Sequence, residues 1–192
     1  MPQTAAEQLL DRAVAAARTR PSDLQTVLEE LPAPVYVTDT SGRIIAFNRA
    51  CIAFAGRTPA AGRDRWCVTW RLYTDAGEPL AHEDCPMAIA IREQRPVRGV
   101  EAVAECPDGS RKHFLPFPTP VFDEDGALTG AVNLFVDLSD IKRAQYLHGE
   151  ARRCRRLADT IGDKKTVETL LHMADEYDAR ARQIETPGQG TD

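Results

Sequence analysis

The sequence contains no apolar run that approaches the roughly 20 residues needed to cross a bilayer, so we expect no transmembrane helix. Its start also lacks the basic segment followed by an apolar one that marks a secretory signal. The 192 residues carry a net charge of −5, whereas a dedicated nucleic-acid binder usually carries a positive field. We therefore expect a cytoplasmic protein that binds neither a membrane nor nucleic acid.

The sequence also shows neither paired cysteines nor recognisable catalytic motifs. The five cysteines are odd in number and scattered, with no Cys-x-x-Cys pair: Cys51, Cys67, Cys85, Cys106 and Cys154. This spacing excludes a disulfide framework and a zinc ribbon, and we expect no metal site. A glycine-rich phosphate loop, a Ser-His-Asp arrangement and a paired-carboxylate motif are not recognisable either, so we expect no enzymatic activity.

Apolar residues at helical spacing predict two helices at the start of the chain. The first covers residues 5–18 as one amphipathic stripe. The second begins at Ser22, with Gln25 as its capping-box partner, and ends at Pro32. We assign residues 1–26 to an N-terminal helical extension whose role is packing.

Five short strands are predicted, two early and three late, with helices between them. Residues 35–38 and 43–47 are rich in β-forming side chains and flank a turn, which indicates a hairpin. Residues 97–105, 111–122 and 128–137 are separated by two tight turns and predict an antiparallel meander. The fold class is therefore α+β, with a five-stranded antiparallel sheet and helices on one face.

Two helices are predicted between the early and the late strands. Asn48 is expected to cap the first, which Gly56 closes. Asp84 is expected to cap the second, which runs from Cys85 to about residue 94. The segment 57–82 is predicted to be irregular.

Prolines occupy three alternate positions in the fourth predicted strand: Pro116, Pro118 and Pro120. Successive N–H groups of a strand point to opposite edges, so all three missing donors lie on the same edge. We predict that the second half of this strand pairs with 128–137 and separates or bulges from 97–101.

The last quarter of the chain carries two short heptad-like seams. Their apolar residues are Leu147, Ala151, Cys154, Ala158 and Ile161, then Val167, Leu170, Ala174, Tyr177, Ala181 and Ile184. Ser139 is expected to cap the first helix and Asp163 the second. Over 143–185 the pattern predicts a helical hairpin or a bundle made by dimerisation, followed by a disordered tail at 186–192.

The two segments of this region carry opposite charge. Residues 142–156 have six basic side chains and one acidic one, whereas residues 157–192 have eight acidic and four basic ones. We interpret this as complementarity between the two helices, within or between subunits. His148 is interpreted as an exposed helix residue rather than a phosphoacceptor, since no nucleotide-binding motif follows it.

The order of elements and several short motifs together resemble a PAS domain over residues 27–142. The matching segments are LPAPVYVTD at 31–39, SGRI at 41–44, FNRA at 47–50, PDGS at 107–110, PVFD at 120–123, Gly126, Gly130 and VDLSDIK at 136–142. The last resembles the signature with which PAS sheets lead into an output helix. The resemblance implies a sensory and protein-interaction module that pairs as a homodimer through its flanking helices. Its partner would be a signalling protein such as a kinase or regulator.

The resemblance also implies a ligand cavity between the sheet and the middle helices. Two-residue alternation and helical spacing direct five side chains towards it: Met87, Ile91, Phe114, Asn133 and Phe135. Asn133 could orient a ligand there, or it could be a core amide bonded to backbone. Both interpretations remain open from the sequence.

The cofactor is unknown from the sequence, and the alternatives centre on Cys85. The Cys85-Pro86 pair resembles pairs that ligate haem through a thiolate, although a proline also suits an ordinary first helical turn. A cysteine near a helix N-terminus could also have a lowered pKa and act as a redox thiol. The Asn-Cys-Arg-Phe-Leu-Gln motif of flavin photosensors is absent from the sequence, which argues against a flavin.

Asp137 and Ser139 lie where the last strand meets the next helix. They could act simply as helix caps, and they could also act as a signalling joint whose partners change when the sheet shifts. The sequence thus predicts a sensor or adaptor that relays a change from residues 27–142 to its C-terminal helices.

Overall fold

A computed structural model describes residues 3–19 and 22–186. These residues divide into two compact units, the first ending at Asp137 and the second beginning at Leu138. The tail predicted at 186–192 lies outside the described residues except for Thr186. Within the described ranges, no helix is both long and apolar enough to cross a membrane.

The first unit begins with two helices, α1 (Gln3–Thr19) and α2 (Leu24–Glu29). The capping box predicted for α2 is wrong, because the N-cap is Asp23 and makes no side-chain capping bond. The Ser22 hydroxyl donates to the Asp23 carboxylate instead. The Gln25 amide donates to Glu29 and to the backbone carbonyl of Phe47.

The rest of the first unit contains eight strand segments and two further α-helices within the described residues. In chain order they are β1 (Val35–Asp39), β2 (Ile44–Phe47), α3 (Arg49–Ala55), β3 (Arg71–Thr74), β4 (Pro79–Leu80), α4 (Pro86–Glu93), β5 (Ala102–Glu105), β6 (Arg111–Pro116), β7 (Thr119–Phe122) and β8 (Leu128–Asp137). The strands pair antiparallel in the order β2-β1-β8-β6-β5-β3-β4, and β7 pairs with β8. The predicted α+β class with an antiparallel sheet is confirmed.

The strand pattern differs from the five predicted strands in two places, besides the division of 111–122 into β6 and β7. Residues 57–82, predicted as irregular, contain the short β3–β4 hairpin, whose turn includes Gly77 in the left-handed region at φ +87°. Segments of four and two residues are too short to display a reliable alternation. The segment 97–101, predicted as strand, precedes β5 and contains Gly99 at φ +73°.

The prediction from the three alternating prolines is confirmed. β6 pairs with β5 only as far as Phe114, while β7 pairs with β8 from the register Thr119↔Val132 onwards. Between them, the N–H of Phe117 donates to the carbonyl of Leu134 in β8 at 2.9 Å. The strand therefore keeps its contact with β8 and loses its ladder on the β5 side once its donors are missing, although the N–H of Val97 still donates to the carbonyl of Pro118 at 3.2 Å.

Helix capping in this unit follows the prediction at one helix and departs from it at the other. The Asn48 side chain accepts from the N–H of Cys51, and Gly56 ends α3 at φ +64°, as predicted. Asp84 does not cap α4, because it belongs to a 3₁₀ turn and Cys85 occupies the N-cap.

The sheet is covered on both sides along β8. All residues from Gly130 to Val136 are buried, although a strand exposed on one face would alternate. Helix α1 packs against β7 and β8, and α4 also packs against them. This differs from the prediction of helices on one face, because the N-terminal extension is part of the fold around β8.

The second unit is a helical hairpin of α5 (Ser139–Ala158) and α6 (Lys164–Glu185). Its core contains the predicted seam residues Ala151, Cys154 and Ala174, and the predicted cap at Asp163 accepts from the N–H of Thr166 at 2.9 Å. The cap predicted at Ser139 is wrong, because Leu138 is the N-cap and Ser139 is already helical.

Ion pairs connect the two helices, as the opposite charges of their segments predict. Arg155 contacts Asp175 at 3.0 Å and Asp178 at 2.7 Å. His148 is not simply exposed, since its Nδ1 lies 2.7 Å from Asp178 and its Nε2 lies 3.3 Å from Glu185. The complementarity therefore exists within one chain.

Candidate functional site

The residues predicted to line a cavity lie together, but they form a packed core. Met87, Ile91, Phe114 and Phe135 belong to one buried cluster. The rings of Phe114 and Phe135 are 4.7 Å apart, and Phe54 lies 5.4 and 5.3 Å from them. Such distances are those of direct aromatic contact, so these side chains pack against one another between the sheet and α3–α4, and a ligand among them stays a prediction.

Asn133 lies at the same depth, and both ends of its amide are engaged. Its Oδ1 accepts from the N–H of Phe117 at 2.9 Å, and its Nδ2 donates to the hydroxyl of Tyr36 at 3.2 Å. The hydroxyl of Tyr36 in turn donates to the backbone carbonyl of Trp66 at 2.6 Å. These contacts describe a core amide, the second of the two interpretations left open by the sequence.

Tyr36 is a member of this network that sequence reasoning missed. It is fully buried, and burial raises the pKa of its hydroxyl well above the usual value. A tyrosine in a buried strand needs a partner for its hydroxyl, which is the signal that could have directed attention to it. The network connects β1 and β8 to the segment that carries Trp66.

The surroundings of Cys85 do not support a reactive thiol. The side chain is buried in the core cluster, and burial raises the pKa of its thiol to about 12 although it stands at the N-cap of α4. The lowered pKa expected for a redox thiol is therefore wrong. The haem ligand considered at this position stays a prediction, because a bound metal ion would deprotonate the thiol whatever its pKa in the metal-free protein.

The predicted signalling joint is a short connection between two regular elements. Asp137 is the last residue of β8, and α5 starts at Ser139, so Leu138 alone separates them. In the ladder, Asp137 lies opposite Phe114 of β6. Asp137 therefore lies at the end of a central strand, and the signalling role of Asp137 and Ser139 stays a prediction.

A charged cleft of about 500 Å³ lies elsewhere in the first unit, and we call it the loop cleft. Its lining includes Arg57, Asp64, Arg65, Trp70, His82 and Pro107. The Arg57 guanidinium pairs with the Asp64 carboxylate and donates to the carbonyl of Val68 at 3.0 Å. Asp64 also accepts from the N–H of Ala60 at 3.0 Å, so the charged pair is held firmly in the loop.

His82 adds an unusual group to the loop cleft. Its Nε2 is buried and has no hydrogen-bond partner among the described residues. Burial, with a contribution from the charge of Arg57, lowers the pKa of His82 below its usual value. The imidazole is therefore neutral at neutral pH, and one of its nitrogens is removed from water without compensation.

The backbone beside the loop cleft adopts a strained conformation. Trp66 has φ +68°, a left-handed conformation that a bulky side chain rarely adopts. Its N–H donates to the carbonyl of Gly42 at 2.7 Å, and its ring lies so close to Gly42 that a Cβ there would be 2.2 Å away. Residues far apart in sequence make this arrangement, so no local pattern could reveal it.

Comparisons with known proteins agree with this architecture. The sequence matches the family model described as PAS fold over residues 28–143. A comparison with curated proteins found no match. Among solved structures, the PAS domain of the fruit-fly ELK potassium channel is similar, with 12% identity, a TM-score of 0.51, and coverage of 64% of this chain and 99% of that chain.

Two bacterial structures were also found. A LOV protein from Rhodobacter sphaeroides covers 95% of this chain and 99% of its own length, with 13% identity and a TM-score of 0.45. A PAS domain from Colwellia psychrerythraea covers 59% of this chain and 92% of its own length, with 18% identity and a TM-score of 0.42. The family match spans about three-fifths of the sequence and includes all of β1 to β8. The chain therefore belongs to the PAS family.

Proposed function

We propose that this protein is a non-catalytic cytoplasmic PAS sensor or adaptor that works as a homodimer. It binds a small ligand or a protein partner and passes a conformational change to α5 and α6. The observation that carries this proposal is the single residue, Leu138, between β8 and α5. Because β8 pairs with β1, β6 and β7, a shift in the sheet would reach the start of α5 with little slack.

The buried polar network supports the input side of this proposal. Asn133 of β8 is joined through the Tyr36 hydroxyl to the carbonyl of Trp66, which lies in the loop between α3 and β3. A change at that loop would alter hydrogen bonds that end on β8. In a buried setting such bonds couple strongly, because an unmet partner is costly.

The helical hairpin supports the proposed dimer. Its fully buried core consists mainly of small side chains, while larger apolar side chains on both helices remain exposed: Ile141, Tyr146, Leu157, Leu171 and Met173. A second copy of this chain could bury them in a bundle. A signalling protein such as a kinase or regulator would then read the helices.

The relay can be tested by hydrogen exchange of the full chain. Asn133→Ala weakens the network at β8, and we expect several-fold faster exchange of the amides in the first turns of α5. Insertion of Gly-Gly after Leu138 should abolish this response while β8 still exchanges faster. Unchanged exchange in α5 when β8 alone is affected would refute the relay.

The dimer can be tested by light scattering at micromolar concentration. We expect a mass near twice the 21.2 kDa of one chain. Tyr146→Glu together with Leu171→Glu should shift the protein towards the monomer, whereas Asp192→Ser, at the last residue, serves as a control and should not. A monomeric wild-type protein would refute the homodimer.

A further inference from the structure

The loop cleft carries more positive than negative charge in its lining. Asp64 is already paired with Arg57. Arg65 donates from its Nε and its Nη2 to the carbonyl of Ser41 and lies over the ring of Trp66, and neither group carries a negative charge. The charge of Arg65 at the edge of the cleft is therefore available to an anion.

The imidazole of His82 contributes to the lining of the same cleft, and its Nε2 lies just behind this wall, closed off from solvent. Its Nε2 is buried without a partner among the described residues, which is rare because such a group forfeits its hydrogen bond to water. A neutral imidazole can carry its proton on this nitrogen and donate to an oxygen. A rotation of the ring would bring this nitrogen to a ligand oxygen in the cleft, and that oxygen would supply the missing acceptor.

Apolar surface completes the cleft on another side. The indole of Trp70 is 46% exposed, and Pro107 also contributes to the lining. A volume of about 500 Å³ suits a small molecule. The left-handed backbone of Trp66, next to the lining residue Arg65, is the kind of local strain that clusters at ligand-binding sites.

We infer that the loop cleft binds a small organic anion, with a carboxylate or phosphate group between Arg65 and His82 and a flat apolar body against Trp70. The shared chemistry is a compact anionic head on an apolar group. This inference rests on the ligand-binding part of the proposed function and names the class of ligand and its site, whereas the relay to α5 can fail without it. It also places the ligand outside the aromatic core that the sequence suggested.

The chain offers a direct probe of this site. Of its two tryptophans, Trp70 lines the loop cleft and Trp66 lies under the guanidinium of Arg65, so intrinsic fluorescence reports on this region. The full-length protein is titrated with benzoate and with phenyl phosphate, which distinguish the two head groups. Benzyl alcohol and benzylamine serve as neutral and cationic controls, and inorganic phosphate tests the head group alone.

We expect a saturable fluorescence change with at least one of the two organic anions, with a dissociation constant on the order of 1 mM or below for such small probes. Arg65→Ala and His82→Ala should each weaken binding about tenfold, the loss expected for one charge-assisted or buried hydrogen bond. Arg63→Ala is the matched control, because Arg63 is an exposed arginine of the same loop and should leave affinity unchanged.

Several results would overturn the inference. One is the absence of a saturable change with both organic anions, and another is equal affinity for benzylamine or benzyl alcohol. Equal affinity for inorganic phosphate would remove the role of the apolar wall, and an equal loss in Arg63→Ala would remove the role of Arg65. Thermal unfolding of each variant verifies that it is folded. If the anions bind but hydrogen exchange of α5 does not respond, the relay fails and the binding site stands.

Discussion

The aromatic core and the loop cleft, both in the first unit, differ in how their polar groups are satisfied. In the core, the amide of Asn133 and the hydroxyl of Tyr36 have partners, and aromatic rings are in contact. In the loop cleft, the Nε2 of His82 has no partner among the described residues. A polar group that already has its partners belongs to the packing of the core, whereas a buried polar group without a partner indicates a place where a ligand could bind. The family resemblance alone does not distinguish these two cases.

The largest effect is expected from Phe135→Ala. Phe135 is fully buried and contacts the rings of Tyr36, Phe54 and Phe114, so its removal should lower the free energy of unfolding by about 4 kcal/mol. Urea unfolding measures this loss. If the core is filled as described, the variant should also gain an apolar cavity that binds benzene.

The half-buried Phe122 provides the control for this prediction. Phe122→Ala should cost clearly less than Phe135→Ala, because a half-buried ring loses fewer contacts and leaves no enclosed space. Equal losses in the two variants would contradict a tightly packed core. Phe135→Leu keeps most of the volume and remains measurable if the alanine variant does not fold.

A smaller effect is expected from breaking the polar network. Tyr36→Phe leaves the carbonyl of Trp66 and the Nδ2 of Asn133 without their partner, which should cost about 2 kcal/mol. Asn133→Ala should cost a similar amount. In the double variant the losses should fall short of additivity by about 1 kcal/mol, since the two residues share one hydrogen bond. Urea unfolding measures the three losses. If the loss in the double variant equals the sum of the two single losses, the hydrogen bond between Tyr36 and Asn133 contributes nothing to stability.

Where the sequence predicted the fold correctly, the decisive interactions are local or follow from one strand. The Asn48 cap bonds a residue three positions away, and the prolines of 116–120 remove their own donors. The prediction at Ser22 failed although it was local, because the hydroxyl donates to the carboxylate of Asp23 and does not accept from a backbone N–H of α2.

The site was predicted less well than the fold. Met87, Ile91, Phe114 and Phe135 lie in one buried cluster, as alternation and helical spacing predict, while their role as a ligand site stays a prediction. Alternation shows which way a side chain points, but it does not reveal whether rings from α3 fill the space. The loop cleft draws on Arg57, His82 and Pro107, which lie on separate segments without a shared motif, so only the fold brings them together.

The pKa of Cys85 tests whether the aromatic core excludes water. In the folded protein it is about 12, above its usual value of 9.0, because the charged thiolate is poorly solvated there. The contribution of the neutral Cys85 thiol to the free energy of unfolding is thus fully present below pH 9.0 and is lost as the pH rises towards 12. Cys85→Ala should show a shallower loss of stability over this alkaline range, measured by urea unfolding. An unchanged slope would contradict the buried neutral thiol.

The smallest effect is expected on the cleft side, at His82. Its pKa is lowered from 6.5 in the folded protein, so the unfolded chain binds a proton more readily as the pH falls through this value. The contribution of His82 to stability is therefore present above pH 6.5 and declines below it. His82→Gln should remove this acid-side decline, and a proton NMR titration should show one imidazole with a pKa below 6.5.

Benzoate or phenyl phosphate bound in the cleft should raise that pKa, because a nearby anion favours the imidazolium. Asp64 and Glu83 already act in the same direction, while Arg57 opposes them. If neither anion changes the pKa of His82, the anions bind away from this residue. The aromatic core and the loop cleft would then differ only in packing.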